Sequence, residues 1–433
     1  VLTLPGIAGL VLTMGIAVDI NVVIYERIRE ELRMGKTIVH SIQEGFKHSL
    51  SAVIDANVTT LLSSMVMAYF GLGPIKGFAV VLIIGILFSM ITAILITRFL
   101  IDWMVKRGMD VKFWIPATKN ALTNIHIDWV GMRKVTYAIS CGFILIGIIS
   151  YFSRGFELGV DFKGGYSYNV SFDQNTKVNI DDLRKNLTTA FEGAVPVVKQ
   201  VDVANTFNIT TSYMIDKGGE GVDEKVVEKL YNGISKIGGS SFTLEQFKST
   251  DFSGTKIISS SKVGATVADD ISRSSFKAAF FALLLIFLYI LFRFSRWQYS
   301  MGAIAALFHD SLFVLGVFSL LHGILPFSLE VDQAFIAALL TIIGYSNNDT
   351  VIVFDRMREF LHIHKDKTEK EIINMAINST LSRTVITSLL TMVVVLILFL
   401  FGGSSIRGFA FALVVGIIVG TYSSIFIAAP VVY

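Results

Sequence analysis

Gly15–Glu31, GIAVDINVVIYERIREE, and Gly344–Phe360, GYSNNDTVIVFDRMREF, decide the architecture. Each starts as an apolar run suited to a lipid interior, carries one acid inside that run, and ends in a cluster of charge. By helical rise Asp19 lies about 10 Å inside the Glu26–Arg27 boundary, and Asp349 a similar distance inside Asp355–Arg356. An ionised group near the middle of a span costs about 2.5–3.5 kcal/mol on the insertion scale, so its presence there marks a task rather than an accident.

The surrounding chain supports membrane-spanning helices. It is 53% hydrophobic and only 16% charged, with a mean hydropathy of +0.65. Soluble domains run near 25% charged, roughly. Nine apolar runs are long enough to span, near 1–24, 49–71, 77–102, 135–152, 276–293, 299–321, 333–354, 380–401 and 407–430. Lys and Arg crowd the connections 25–48, 98–134 and 355–379, with Arg293 and Arg296 in another turn, whereas 72–76, 322–332 and 402–406 carry only Lys76. The positive-inside rule makes the first group cytoplasmic and the second external. The net charge of +3 implies no particular partner, and no basic cluster interleaved with aromatics suggests nucleic acid. The single cysteine, Cys141, sits in an apolar run and excludes a disulfide framework. No Walker A motif and no zinc-spaced His/Glu cluster occurs, and the reading is of a non-enzyme without a cofactor beyond a transported ion. With no initiator Met and no basic segment ahead of a cleavage site, the chain reads as a fragment rather than one led by a signal peptide.

Between the fourth and fifth runs, residues 155–272 form a polar stretch with its own pattern. YSYNVSF at Tyr166–Phe172 alternates as a half-buried strand; NIDDLRKNLTTAFE from Asn179 reads as a helix with acids in its first turn. VVKQVDVAN and FNITTSYM follow as a strand pair, DEKVVEKLYNGISKI as a second amphipathic helix, and FTLEQFKSTDF and KIISSSKV as strands or loops. The order predicts a small α+β ferredoxin-like domain on the external side.

The two quoted stretches belong to a longer repeat. GPIKGFAVVLIIG from Gly73 matches SSIRGFAFALVVG from Ser404; Gly15 falls on Gly344, Leu50–Ser51 on Leu381–Ser382, and Gly85 on Gly416. Both copies run in the same direction, as in transporters built from parallel repeats. The alignment puts Asp19 on Asn348, one residue short of Asp349, so the two acids need not play equivalent roles. Asp55 lies several residues into the second span, and Arg383 nearly at the matching place in the eighth. Arg383 enters from the same face as Asp349 and at about the same depth, which predicts an Asp349–Arg383 pair. Opposite charges about 4 Å apart attract by about 4 kcal/mol at an effective dielectric of 20. Protonating Asp349 would release the arginine; the alternative is a static ion pair or an arginine that snorkels to the interface. Asp19 is either an ion-path residue or a capped helix-end carboxylate. Asp55, with Asn57, Thr59 and Thr60, is open between structural hydrogen bonding and an ion path, and His309–Asp310 between helix packing and a relay.

At this point the motifs resemble those of a known family. GIAVDINVVIYERIREE resembles the first span of the second half of SecD, DFKGG at Asp161–Gly165 the entry to the external domain of SecF, and GYSNNDTVIVFDRMRE with TLSRTVITS the paired SecF motifs. Together they resemble the fused SecDF form within the resistance–nodulation–division superfamily. The resemblance implies a polytopic α-helical membrane protein of twelve spans, of which nine are visible here as parts of two parallel pseudo-repeats. It divides the chain into a SecD-like half at 1–110, a linker at 111–134, the first SecF-like span at 135–154, the external domain at 155–272 and a five-span SecF-like bundle at 273–433. It implies a bacterial inner-membrane location, the SecYEG translocon, a translocating preprotein and YajC- or YidC-like membrane proteins as partners, and proton or sodium flow that drives export. Asp19, Asp349 and Arg383 match cation-path residues, with Asp55, Asn348 and Thr350 beside them; Asp161, Phe162, Gly164 and Gly165 match the external-domain motif, a structural element. Asn347 departs from the apolar residue usual at its position. An efflux pump or lipid exporter of the same superfamily is the alternative, against which the external stretch is too small; a scaffold that does not pump is a third. Proton and sodium both remain open, since Ser346, Asn347, Asn348, Asp349 and Thr350 offer several oxygens.

Overall fold

The structure is a computed structural model; residues 1–3, 115–124, 174–175, 177, 201–204, 218–220, 238–241, 250 and 326 lie outside the described residues. Part of the expected linker, with Lys119, and the VDVA stretch of the expected strand pair therefore fall outside them. Apolar length turns directly into helix. Among the described residues nine helices are long and apolar enough to cross a membrane. They are α1 (Leu4–Arg33), α2 (Ile38–Phe70), α3 (Pro74–Ile91) continuing through a π turn at Thr92–Ile96 into α4 (Thr97–Lys106), and α5 (Arg133–Arg154). After the inserted domain come α10 (Ala265–Phe294), α11 (Trp297–Leu321), α12 (Gln333–Ile363), α13 (Glu369–Phe401) and α14 (Ser404–Ser423), the last continuing through a π turn at Ser424–Ala428 into α15 (Ala429–Val432). Most spans, α1, α2, α5, α10, α12 and α13 among them, lengthen beyond the apolar run into flanking charged residues, because the chain goes on satisfying its backbone internally until a cap stops it. At α13 the stop is a capping box between Thr368 and Glu371.

The insert is a four-stranded antiparallel sheet under two helices. In chain order α6 (Val160–Lys163), β1 (Gly165–Ser171), α7 (Ile180–Ala190), β2 (Val197–Gln200), β3 (Thr206–Thr211), α8 (Val222–Ile234), α9 (Leu244–Lys248) and β4 (Lys256–Val263) give the sheet order β2-β3-β1-β4. That is the split βαββαβ arrangement. Its core is Tyr166, Tyr168 and Val170 of β1 against Leu183 and Leu187 of α7 and Val226 and Leu230 of α8. KIISSSKV is strand β4. FTLEQFKSTDF instead holds the short helix α9, because Thr243 and Gln246 form a capping box and Phe247 plugs the domain core.

The repeat is visible in the packing. α1 packs on α3 as α12 packs on α14; across the two halves, α13 packs on α1 as α2 packs on α12. Gly15 lies against Thr391 of α13 and Gly344 against Thr60 of α2, where a Cβ would stand 3.3 and 3.2 Å from the neighbour. Thr60 and Thr391 are themselves repeat partners, so the two crossings are related by a pseudo-twofold axis along the membrane normal. The helix ends at the basic face repeat the relation in charge. Arg27 binds Glu30 of its own helix at 2.8 Å and Glu359 of α12 at 3.2 Å; Arg356 binds Glu359 at 2.8 Å and also Glu30 of α1. The four residues form a closed ring, and Arg27 and Glu30 occupy the repeat positions of Arg356 and Glu359.

Candidate functional site

The bundle brings Asp19 and Asp349 together. Asp19, 2% exposed on α1, accepts hydrogen bonds from Thr391 Oγ1 to both carboxylate oxygens at 3.2 Å, and Tyr345 of α12 also bonds it. Asp349, 6% exposed on α12, accepts from Ser388 Oγ at 3.5 Å; Thr421 of α14 donates to that serine at 2.7 Å. The charge of Asp349 acts on Asp19, so the two acids from opposite halves share one electrostatic site. The close crossings at Gly15 and Gly344 set this level: each admits a threonine of the opposite half, and Thr391 is the Asp19 donor.

Arg383 is placed differently from the expected pair. It makes no ion pair with Asp349, and its Nε and Nη2 are buried without a hydrogen-bond partner. The side chain turns toward the basic face and lines a cavity of about 50 Å³ with Glu26, Arg27, Glu30, Asp355 and Arg356. The carboxylates of that cavity compete with Asp349 for it: the charges acting on Arg383 are those of Asp349, Arg356, Glu30 and Glu26. Arg383 thus stands between the central acids and the charged ring, bonded to neither.

The other sequence candidates fall around this centre. Asp55, 4% exposed, faces α10: Arg293 Nε and Nη2 reach its carboxylate at 2.7 Å and Tyr289 OH donates at 2.8 Å. It makes no contact with Asp19 or Asp349. Asn348 Oδ1 and both amide atoms of Asn347 are buried without a protein partner, as is Ser63 Oγ on the facing helix. Thr350 Oγ1 donates back to the Ser346 carbonyl at 3.4 Å. Tyr345, Thr391, Ser388 and Thr421 escaped the sequence reading; the hydroxyl-rich run of α13 from Thr380 to Thr391 was the signal for two of them, Ser388 and Thr391. Arg293 was read only as a charge of the turn, and Tyr289 only as part of the apolar run 276–293, so their bonds to Asp55 were not foreseen.

The external-domain motif joins the domain to the bundle. Asp161 Oδ2 accepts from the Gln333 backbone N–H at 3.1 Å at the start of α12, and Phe162 packs on the bundle core. Gly164, at φ +70°, lies against Ala265 of α10, and Gly165, at φ +149°, leaves no room for a Cβ beside the Thr211 carbonyl. Alongside, Leu158 pairs with Val331 as a parallel bridge, and Lys199 of β2 binds Glu157 at 2.6 Å and also Glu330. Asp332 caps α12 by accepting from Phe335 N–H at 2.7 Å; burial pushes its carboxyl up to about 7, and burial also raises that of Asp161. Among the described residues no group of three or more His, Cys, Asp or Glu is placed to hold a metal ion.

Nine spans in two parallel pseudo-repeats, an acid from each half at one buried level, and a ferredoxin-like domain latched to the span that carries one of those acids define a multi-pass membrane protein built like a two-halved transporter. Residues 2–107 and 243–433 match the family described as protein export membrane protein SecD/SecF, C-terminal, and residues 149–176 match the SecD/SecF GG motif. The chain belongs to the SecD/SecF family. It is 45% identical to protein translocase subunit SecF of Rhodothermus marinus over 71% of this chain and 93% of that protein. It is 36% identical to protein translocase subunit SecDF of Brucella abortus over 99% of this chain and 53% of that one. A crystal structure of SecDF, described as a translocon-associated membrane protein, from Thermus thermophilus superposes with a TM-score of 0.84 at 35% identity, covering all of this chain and 55% of that one. The chain thus spans about half the length of the SecDF relatives it matches.

Proposed function

We propose that the chain is part of an accessory subunit of the Sec translocation machinery, in which cation flow through Asp19 and Asp349 drives export of preproteins across the bacterial inner membrane. The observation that carries this reading is the pairing of two buried acids from opposite halves beside an arginine bonded to neither. Two carboxylates ionised together in a low-dielectric site repel, so the site favours holding a cation between them. Loading and unloading that cation changes what Arg383 is drawn to: the ionised Asp349 above it, or Glu26 and Glu30 in the cavity below. That choice is a two-state element: α12 and α1 carry its two ends, and α13 carries the arginine that chooses between them. Through Gln333, Asp332 and Val331 the start of α12 holds the external domain, which gives a mechanical route from ion to secreted chain. The translocon and the preprotein are the partners this reading needs.

Asp349→Asn in the full-length polypeptide tests it. The variant is expected to insert normally and to lose cation-dependent export and cation flux in proteoliposomes. Unchanged export and flux at a matched protein level would sink the proposal. Comparing a pH gradient with a sodium gradient in the same vesicles identifies the ion.

A further inference from the structure

A second ionisable pair lies away from the Asp19–Asp349 site. His309 and Asp310, in the middle of α11, are 6% and 0% exposed. Helix packing alone needs one partner for such a pair; here donors arrive from three other helices. Asp310 Oδ2 accepts from Ser346 Oγ of α12 at 2.5 Å and from Ser423 Oγ of α14 at 2.8 Å, and Oδ1 lies 3.0 Å from His309 Nδ1. The other ring nitrogen, Nε2, is 3.1 Å from Ser140 Oγ of α5; that oxygen is 3.1 Å from Tyr422 OH of α14, which in turn donates to the Thr136 carbonyl of α5 at 3.1 Å. Tyr422 is the other titratable group here, and no further ionisable side chain of α5, α10, α12, α14 or α15 bonds either residue among those described.

Asp310 fixes which nitrogen can bind a proton. With a carboxylate at Nδ1, the neutral ring carries its hydrogen there and turns the Nε2 lone pair to Ser140, the same division of roles that an Asp gives a catalytic histidine. The hydroxyl chain beyond Nε2 then has two complete hydrogen directions. When Nε2 is unprotonated, Ser140 donates to it and Tyr422 donates to Ser140. When Nε2 takes a proton, it donates to Ser140, Ser140 donates to Tyr422, and Tyr422 donates to the Thr136 carbonyl. One proton is gained, no hydrogen bond is lost, and the new positive charge stands against Asp310, whose ionised form Ser346 and Ser423 already support.

We propose that the His309–Asp310 pair is a second proton-binding site, separate from the Asp19–Asp349 site, whose occupancy is passed to α5 through Ser140 and Tyr422. Two features of the fold give it a role in the cycle. Ser346 and Ser423 sit on α12 and α14, the helices that also carry Asp349 and Thr421, so both sites bias the same helices. α5 leads straight into the external domain through the Leu158–Val331 bridge and Phe162. That role, though not the site itself, rests on the cation-driven reading above.

The test uses the full-length polypeptide with 15N-labelled histidine in lipid nanodiscs, His309→Gln assigning the resonance. Acidification is expected to take the His309 ring from one N–H to two, with Nδ1 protonated throughout. In proteoliposomes under a proton gradient, His309→Gln, which can keep the hydrogen bond to Ser140 but not the charge, and Ser140→Ala are each expected to lower flux at a matched amount of folded protein. A ring with one N–H at every pH at which the protein stays folded overturns the site. A ring that titrates while both variants keep wild-type flux, with Asp349→Asn inactive, overturns the coupling and leaves the proposed function standing. A titrating ring in a protein whose flux ignores Asp349 supports the site and fails only the earlier reading.

Discussion

Asp55 offers a sharp separation between a residue that holds the bundle and one that carries ions. Its carboxylate ties α2 to α10, taking three donors from Arg293 and Tyr289 at 2.7–2.8 Å, and Arg293 also donates to Ser51 of α2. Removing one partner of a buried pair costs about 3–5 kcal/mol, because the other charge is left unpaired. Arg293 is 28% exposed at a helix end and can turn partly to water, which places Asp55→Ala at the lower end, about 3 kcal/mol. Replacing both charges removes the penalty of the orphan. Asp55→Ala with Arg293→Met should therefore recover most of the loss, the coupling in the double-mutant cycle reaching about 2 kcal/mol. The measurement is thermal unfolding of the four proteins in one detergent, with cation flux of the same preparations in vesicles. A structural Asp55 predicts a double variant that is nearly as stable as the parent and still transports. A double variant of parental stability that has lost flux would refute this assignment and return Asp55 to the ion path.

Two further outcomes follow from charges at the two faces. Asp332 is protonated in the folded protein up to about pH 7, whereas in the unfolded chain it ionises near 3.9, so the native state holds the extra proton between those values. Its contribution to stability is complete below pH ~4 and declines as the pH rises through 7, by up to about 4 kcal/mol. Limited proteolysis of the external domain at pH 5 and pH 8 should show cleavage favoured at pH 8, and Asp332→Asn, which still caps α12, should flatten the difference. At the opposite face, Arg27→Glu places three acids in the ring with Arg356 and should loosen α1 from α12; adding Glu359→Arg rebalances the ring and restores an opposite-charge pair between positions 27 and 359, the Glu30–Arg356 pair across the helices being kept. Cysteine cross-linking between the ends of α1 and α12 should fall in the single variant and recover in the double.

The spans and the domain topology were legible because each rests on a periodicity that the fold leaves intact: about twenty apolar residues, or alternation over Tyr166–Phe172. α9 was not, since a capping box at Thr243 outweighs an alternating apolar pattern only five residues long. The depth of Asp19 and Asp349 could be read from distance to the nearest charge cluster. The direction of Arg383 could not. A reach of three methylenes lets the guanidinium choose between two sets of carboxylates, and one set, Glu26 and Glu30, lies on a helix hundreds of residues away in sequence. The ring of Arg27, Glu30, Arg356 and Glu359 was written in the repeat, residue on residue, yet charge clusters at span ends are also what a solvated turn looks like. Only the meeting of the ends of α1 and α12 through these side chains makes the ring close.

The pseudo-twofold frame carries one more consequence. A frame that maps onto itself under a half turn treats both halves alike, and by itself gives a cycle no preferred sense of rotation. The charged ring, the glycine crossings and the threonines beside them all obey that equivalence. Arg383 does not: its repeat position in the first half is Ala52, which lines the same cavity. One guanidinium set against one methyl group, together with the one-residue offset of the two acids, is thus where the two halves stop being interchangeable, and where a reversible exchange of ions would acquire an arrow.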